Sequence, residues 1–273
     1  MRLLVIGASG RLGRAVRAAW PDMPGVEVTW AARSGADGTQ AVDLARPGAL
    51  EAAARVTGAE AIASLAGTVT ARDHVTLAEE AARAAEALDL PLFLPSSAAV
   101  YGGGAALAED APLPDPATLA PYGSMKQAME AAMAGRPRVT CLRIGNVAGA
   151  DAILGGWRPG FELDTFPDGR TPRRAYLTAG DLARVLAGLA QAAQTRALPP
   201  VLNVARPGTE EMGALLDAAG LAWRPRPAPP GALEEVSLDT AALAGILGPE
   251  RALPEATPEG LLAHLGSLRT LTS

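Results

Sequence analysis

The sequence predicts an α/β fold, a doubly wound and mostly parallel sheet with a small C-terminal lobe. Three observations predict it. Short apolar runs bounded by Gly or Pro alternate with Ala-rich amphipathic stretches, the rhythm of strands interleaved with crossover helices. The first apolar run passes directly into a glycine turn, Gly7-Ala8-Ser9-Gly10-Arg11-Leu12-Gly13, which opens a helical stretch. Two Gly- and Pro-rich segments, 149–174 and 221–231, break the rhythm and hold too many helix breakers for a helix or a central strand.

Taken in order, the predicted strands are 2–6, 26–31, 41–43, 61–65, 92–95, 139–144 and 201–204, each a run of apolar or β-branched residues. Between them the clearest helices are 11–20, 73–88, 122–133, 181–193 and 209–219, where Ala, Leu and Glu dominate. The division expected from this pattern is a nucleotide-type domain over 1–150 plus 175–205, and a smaller lobe over 151–174 plus 206–273.

Composition narrows the function classes. Of 273 residues, 49% are hydrophobic and 19% charged, enough apolar matter for a large packed core. The formal charge of −5 and the lack of a basic block give nucleic acid no electrostatic footing. Cys141 is the only cysteine, so neither an intramolecular disulfide nor a cysteine-rich zinc cluster can form, and no metal site is expected. His74 and His264 lie far apart without ligand spacing and read as surface or packing residues. The apolar start is too short for a secretory segment, and no apolar run approaches a membrane span, so a cytoplasmic protein without membrane contact is expected.

The chemistry-bearing residues form four groups. In the glycine turn, Gly7, Ser9, Gly10, Arg11, Leu12 and Gly13 stand where a strand becomes a helix. There the backbone turns tightly, and the free N–H groups with the positive end of the helix dipole attract a pyrophosphate, as in Rossmann-like dinucleotide sites. At the end of the second strand no acid is present to hold a ribose 2′-hydroxyl; Arg33 stands there instead, with Arg11 able to join it. That pattern favours NADP over NAD, with NAD retained as the alternative. Tyr122 and Lys126, four apart behind Pro121, share a helix face, and an ammonium near the phenol would draw its pKa toward neutrality. Ser97 follows the 92–95 strand, where a hydroxyl faces the crevice at the carboxyl end of the sheet or caps a turn.

Together, GASGRLG, SSAAVYG, PYGSMK, LRIGNVAG and RRAYLTAGDLA resemble the extended short-chain dehydrogenase/reductases, specifically the NAD-dependent epimerase/dehydratase family. The resemblance spans about residues 1 to 205 and rests on the order and spacing of the five motifs. It implies that Tyr122 is the general acid/base, that Lys126 tunes it and holds the nicotinamide ribose, and that Ser97 polarises the substrate carbonyl. It also implies that Asp43 and Leu44 lie near the adenine, and that Leu65, Ala66 and Gly67 line the cofactor. Asn146 and Arg174 match positions that touch a nucleotide-sugar. Members of the family commonly dimerise through a helix pair that includes the YxxxK helix, which implies a homodimer. The sequence departs from many members in carrying Ser64 before Leu-Ala-Gly, and in a short lobe that points to a small-molecule substrate. The expected activity is hydride transfer between nicotinamide and a carbonyl or alcohol carbon. The alternatives are a nucleotide-sugar epimerase or dehydratase, and a non-catalytic NADP-sensing protein.

Overall fold

The computed structural model describes residues 1–21, 23–67 and 71–263. Seven strands form one parallel sheet: β1 (Arg2–Ile6), β2 (Glu27–Ala32), β3 (Gln40–Ala41), β4 (Ala61–Ser64), β5 (Leu92–Ser97), β6 (Val139–Ile144) and β7 (Val201–Val204). Their order across the sheet is β7-β6-β5-β4-β1-β2-β3. The direction of winding reverses at β1, between β2 and β4, and ligands bind beyond the carboxyl ends of strands at such a reversal.

Each strand is apolar on both sides because helices cover both faces. Leu3 and Val5 of β1 pack with Val16 of α1 (Arg11–Ala18) and with Leu182, Val185, Leu186 and Leu189, while Leu4 and Ile6 point into the opposite layer. That opposite layer holds Leu50 of α2 (Ala49–Thr57), Ala81 and Ala85 of α3 (Ala71–Ala87), and Met129 and Met133 of α4 (Pro121–Met133). Ala81 and Ala85 are almost wholly buried, so the small side chains let α3 lie close against the sheet.

The helix α5 (Ala179–Ala192) starts two residues earlier than the apolar pattern predicts. Thr178 accepts from the Asp181 N–H at 3.0 Å and Asp181 accepts from the Thr178 N–H at 2.8 Å, a capping box that fixes the first turn. The opposite happens at residues 209–211. There the predicted helix gives way to an extended pair, Glu210–Glu211, antiparallel to Arg173–Arg174, and α6 begins only at Met212 (Met212–Ala218).

A second sheet lies outside the first, with Glu210–Glu211, Arg173–Arg174, Glu235–Leu238 and Gly104–Leu107 side by side. Arg224–Pro227 pairs in parallel with Glu162–Thr165, so the two Pro-rich segments meet as a short ribbon. Ile153, Leu163 and Leu216, with Trp157, Phe161 and Trp223 packed against them, form the lobe's own core. Further along, α7 (Ala241–Leu247) returns to the main sheet, placing Leu243 and Leu247 beside α5, while α8 (Pro258–Leu262) lies against α6. His264 lies outside the described residues. None of the described helices is long and apolar enough to cross a membrane.

Candidate active site

The glycine turn joins β1 to α1. Gly7 has φ +84°, and a Cβ there would stand 2.3 Å from the Ala66 backbone nitrogen, so the turn is pressed against the segment leaving β4. A Cβ on Gly13 would meet the Gly7 carbonyl oxygen at 2.1 Å, which lets α1 start directly over the turn. Gly10 differs: its φ of −70° suits any residue, and the only neighbour of a Cβ would be the Gly7 oxygen at 3.4 Å. Two glycines are therefore required by packing, and the middle one keeps space open at the helix N-terminus. Among the described residues no side chain caps that N-terminus. These features fit a dinucleotide pyrophosphate, whose oxygens would reach the unpaired N–H groups through the gap at Gly10.

From Gly10 a cleft of about 820 Å³ runs across the carboxyl end of the sheet. Gly10, Arg11 and Leu12 line one end, Leu65, Ala66 and Gly67 the floor, and Ser97, Tyr122 and Lys126 the middle. Asn146 and Arg174 stand in the far wall. Gly7, Ser9 and Gly13 form the turn behind this lining, with the Ser9 carbonyl accepting from Arg14 Nη1. Arg33 is exposed just past β2, and no acid lies in the Ala31-Ala32-Arg33-Ser34 stretch. Asp43 turns inward on its own loop, accepting from the Ala45 N–H at 3.1 Å and facing Arg46 at 3.9 Å, while Leu44 packs in the core beside α2.

The Ser97 hydroxyl combines the two roles weighed for it. It accepts from the Ala99 N–H at 3.2 Å, capping the turn Ala98–Tyr101, and it lines the cleft beside Tyr122. Tyr122 sits in the first turn of α4, where Pro121 starts the helix, and it is 51% exposed, facing the cleft. Lys126 is 3% exposed; its Nζ donates to the Pro95 carbonyl at 2.6 Å and lies 5.6 Å from the Tyr122 ring centroid. Burial lowers the Lys126 pKa to about 8, against the opposing pull of Cys141 and Glu130. The expected depression of the phenol by the ammonium is not met here. Burial pushes the Tyr122 phenol up, with the neighbouring Ser97 hydroxyl opposing, because the ammonium is directed at the Pro95 carbonyl and lies over the ring face. Cys141, beneath Lys126, is pushed up to about 12 by burial and by Glu130.

In the far wall, Asn146 gives its N–H to the Ala175 carbonyl at 2.9 Å, and its side chain lies near the Tyr176 hydroxyl, which is buried without a hydrogen-bond partner among the described residues. Arg174 directs Nη1 and Nη2 to the carbonyls of Arg173 at 2.7 Å and Leu233 at 3.0 Å. No carboxylate pairs with it among the described residues, and burial lowers its pKa. Sequence reasoning missed Asp151, which lines the same wall: Oδ1 accepts from the N–H groups of Leu154 and Gly155 at 3.0 and 3.1 Å, while burial raises the carboxyl's pKa. Its only sequence signal is an Asp three residues before a Leu-Gly-Gly turn. The aromatic residues Trp157 and Phe161 pack inside the lobe and do not line the cleft. Among the described residues no cluster of three His, Cys, Asp or Glu could hold a metal ion.

A glycine turn at the winding reversal, joined by one cleft to Ser97, Tyr122 and Lys126, defines an α/β protein with a Rossmann-like sheet. The family model described as NAD dependent epimerase/dehydratase family matches residues 3–205, and the chain belongs to that family. No curated protein matches the sequence. Among solved structures, UDP-glucose-4-epimerase from Stenotrophomonas maltophila, with bound NAD and formylated UDP-arabinopyranose, superposes at TM-score 0.76 and 17% identity over 100% of this chain and 99% of that one. UDP-glucose 4-epimerase of Thermus thermophilus in complex with NAD gives 0.70 and 21%, covering 98% of this chain and 99% of that one. DesIV from Streptomyces venezuelae, a dTDP-glucose 4,6-dehydratase with NAD and TYD bound, gives 0.70 and 20%, covering 99% and 97%. These likenesses show a shared fold.

Proposed function

We propose that this protein is an NADP-preferring oxidoreductase or epimerase that moves hydride between nicotinamide and a carbonyl or alcohol carbon of a small substrate. The observation that carries the reading is the meeting of Ser97, Tyr122 and Lys126 in the cleft that begins at Gly10. When bound, the cofactor supplies the hydride acceptor and donor chemistry. Gly7, Ser9, Gly10, Arg11, Leu12 and Gly13 form the pyrophosphate turn, and Leu65, Ala66 and Gly67 form the floor beside it. Arg33, with Arg11, takes the 2′-phosphate, and Asp43 with Leu44 borders the adenine.

At the reacting end, Ser97 donates a hydrogen bond to the substrate oxygen. Tyr122 gives or takes the proton at that same oxygen, and Lys126 supports the phenolate and the nicotinamide ribose. Among the described residues, the lobe over 151–174 and 206–263, joined by Gly104–Leu107 and apart from α7, would border the substrate. A second reading, a nucleotide-sugar epimerase or dehydratase, is favoured by Arg174: a half-buried cation without a carboxylate partner among the described residues suits the phosphates of such a substrate. Protection of the fold against heat by UDP or a dTDP-sugar would decide for it.

Tyr122→Phe tests the reading. Dinucleotide affinity should stay within about threefold of wild type, and turnover on any identified substrate should fall about 10²- to 10⁴-fold, the range of general acid/base catalysis. A variant with full turnover overturns the assignment.

A further inference from the structure

Behind the Ser97, Tyr122 and Lys126 group lies a buried polar chain that neither proton transfer nor cofactor binding uses. Glu130 follows Tyr122 and Lys126 at successive steps of four residues, so all three share one face of α4. Its carboxylate is 8% exposed and is gripped by Arg143 of β6, with Nε at 3.1 and 3.2 Å from the two oxygens and Nη2 at 2.8 Å. Ser96 Oγ also donates to it. The other arm of Arg143 donates to the Tyr101 hydroxyl at 2.8 Å and the Glu109 carbonyl at 3.0 Å. Tyr101 in turn donates to Asn203 Oδ1 at 2.8 Å, and the Asn203 amide donates to the carbonyls of Leu107 and Asp239 at 2.8 and 2.9 Å.

Two consecutive residues at the end of β5 are thus held by successive turns of α4, Pro95 by Lys126 and Ser96 by Glu130, directly before Ser97, which lines the cleft with Tyr122. A buried ion pair contributes little net stability compared with apolar residues of the same volume, because both ions lose their hydration. Stability alone gives no reason for charge here; its place beneath the reacting groups does. We propose, resting on the reading of Tyr122 and Lys126 above, that Glu130 is a positioning residue for the proton-transfer site. Clamped by Arg143, it pins α4 to the end of β5 and so sets where Lys126 and Tyr122 stand against Ser97. The chain from Arg143 through Tyr101 to Asn203 ties the same anchor to the lobe strand Gly104–Leu107.

Lys126 is the only lysine in the sequence, so lysine labelled at its side-chain nitrogen gives one reporter signal in the full chain. The groups facing Lys126 are Tyr122 and Glu130 on its own helix, Cys141 from β6 and the Pro95 carbonyl from β5, with His74 of α3 lining the same cleft. The wild-type signal should titrate at about 8. In Glu130→Gln the midpoint should fall by about one unit, the effect of losing a close opposite charge. Ser96→Ala removes only the hydroxyl tie and keeps both charges, so it should lower the midpoint by less and leave the far-ultraviolet circular dichroism unchanged. If Glu130→Gln does not fold, Ser96→Ala decides alone. A midpoint equal to wild type in the folded variants overturns the proposal. The titration needs no turnover, so it stands or falls separately from the Tyr122→Phe assay.

Discussion

Replacing Gly10 by Ala separates binding from folding. Gly10 has extended backbone at φ −70° and ψ 166°, and an added methyl would touch only the Gly7 oxygen at 3.4 Å, an ordinary contact. The fold therefore loses about 1 kcal/mol at most, the difference between Gly and Ala at a helix N-cap, or a few degrees in Tm. The same methyl projects into the gap through which a pyrophosphate must approach the first N–H groups of α1. Crowding by one methyl costs about 1 to 3 kcal/mol, so affinity for the dinucleotide should fall roughly 5- to 150-fold. Gly13→Ala is the contrast: its Cβ would stand 2.1 Å from the Gly7 oxygen and 2.8 Å from the Gly7 carbonyl carbon, both backbone, so the turn itself must move. That variant should lose roughly 3 kcal/mol of stability or more, the upper end of the cost of overpacking. The assay is nicotinamide fluorescence titration beside thermal unfolding for both proteins. Gly10→Ala binding as tightly as wild type would refute the reasoning, as would Gly10→Ala melting as early as Gly13→Ala.

Two other predictions concern charge. Arg33→Glu should weaken NADPH binding at least tenfold and leave NADH binding equal or tighter, read as the ratio of the two dissociation constants; an unchanged ratio removes Arg33 from the 2′-phosphate site. Asp181 is fully buried, and although burial alone would raise its pKa, the Arg206 guanidinium and the Thr178 bonds outweigh that and hold it low. A carboxyl with a depressed folded pKa contributes stability that is complete above its unfolded value of about 3.9 and is lost as pH falls through the lower folded value. Asp181→Asn should therefore cost about 3 kcal/mol or more at pH 7, because Arg206 is left buried and unpaired, and denaturant titration should show a flatter loss of stability below about pH 4 than in wild type. Equal acid sensitivity in the two proteins would contradict this.

The sheet was legible because its strands are buried on both faces and read as apolar runs: β1, β6 and β7 have the predicted bounds, and the other strands differ at their ends by a few residues. What escaped the sequence depends on contacts distant along the chain. The helix α2 is nine residues between Gly48 and Gly58, both left-handed, and such punctuation reads as loop. Gly104–Leu107 has no strand composition of its own and becomes a strand by pairing with Glu235–Leu238. The segment 209–211 has helical composition, but Arg173–Arg174 draws it into a sheet. At the site, the glycine turn, Ser97, Tyr122 and Lys126 were readable because chemistry fixes their spacing. Glu130, Arg143 and Asp151 were not, since a charged residue on a helix, a strand or a loop looks the same in sequence whether solvent, backbone or another ion faces it.

On the proposed function, the groove running from Gly10 to Tyr122 holds a nicotinamide dinucleotide. Calorimetric titration of the purified full chain with NADPH, and separately with NADH, tests it most directly. Saturable binding of one dinucleotide per chain is expected, tighter for NADPH and competitive with NADP. Heat changes that fail to saturate for both dinucleotides at millimolar concentration, from a chain that melts cooperatively, would contradict it.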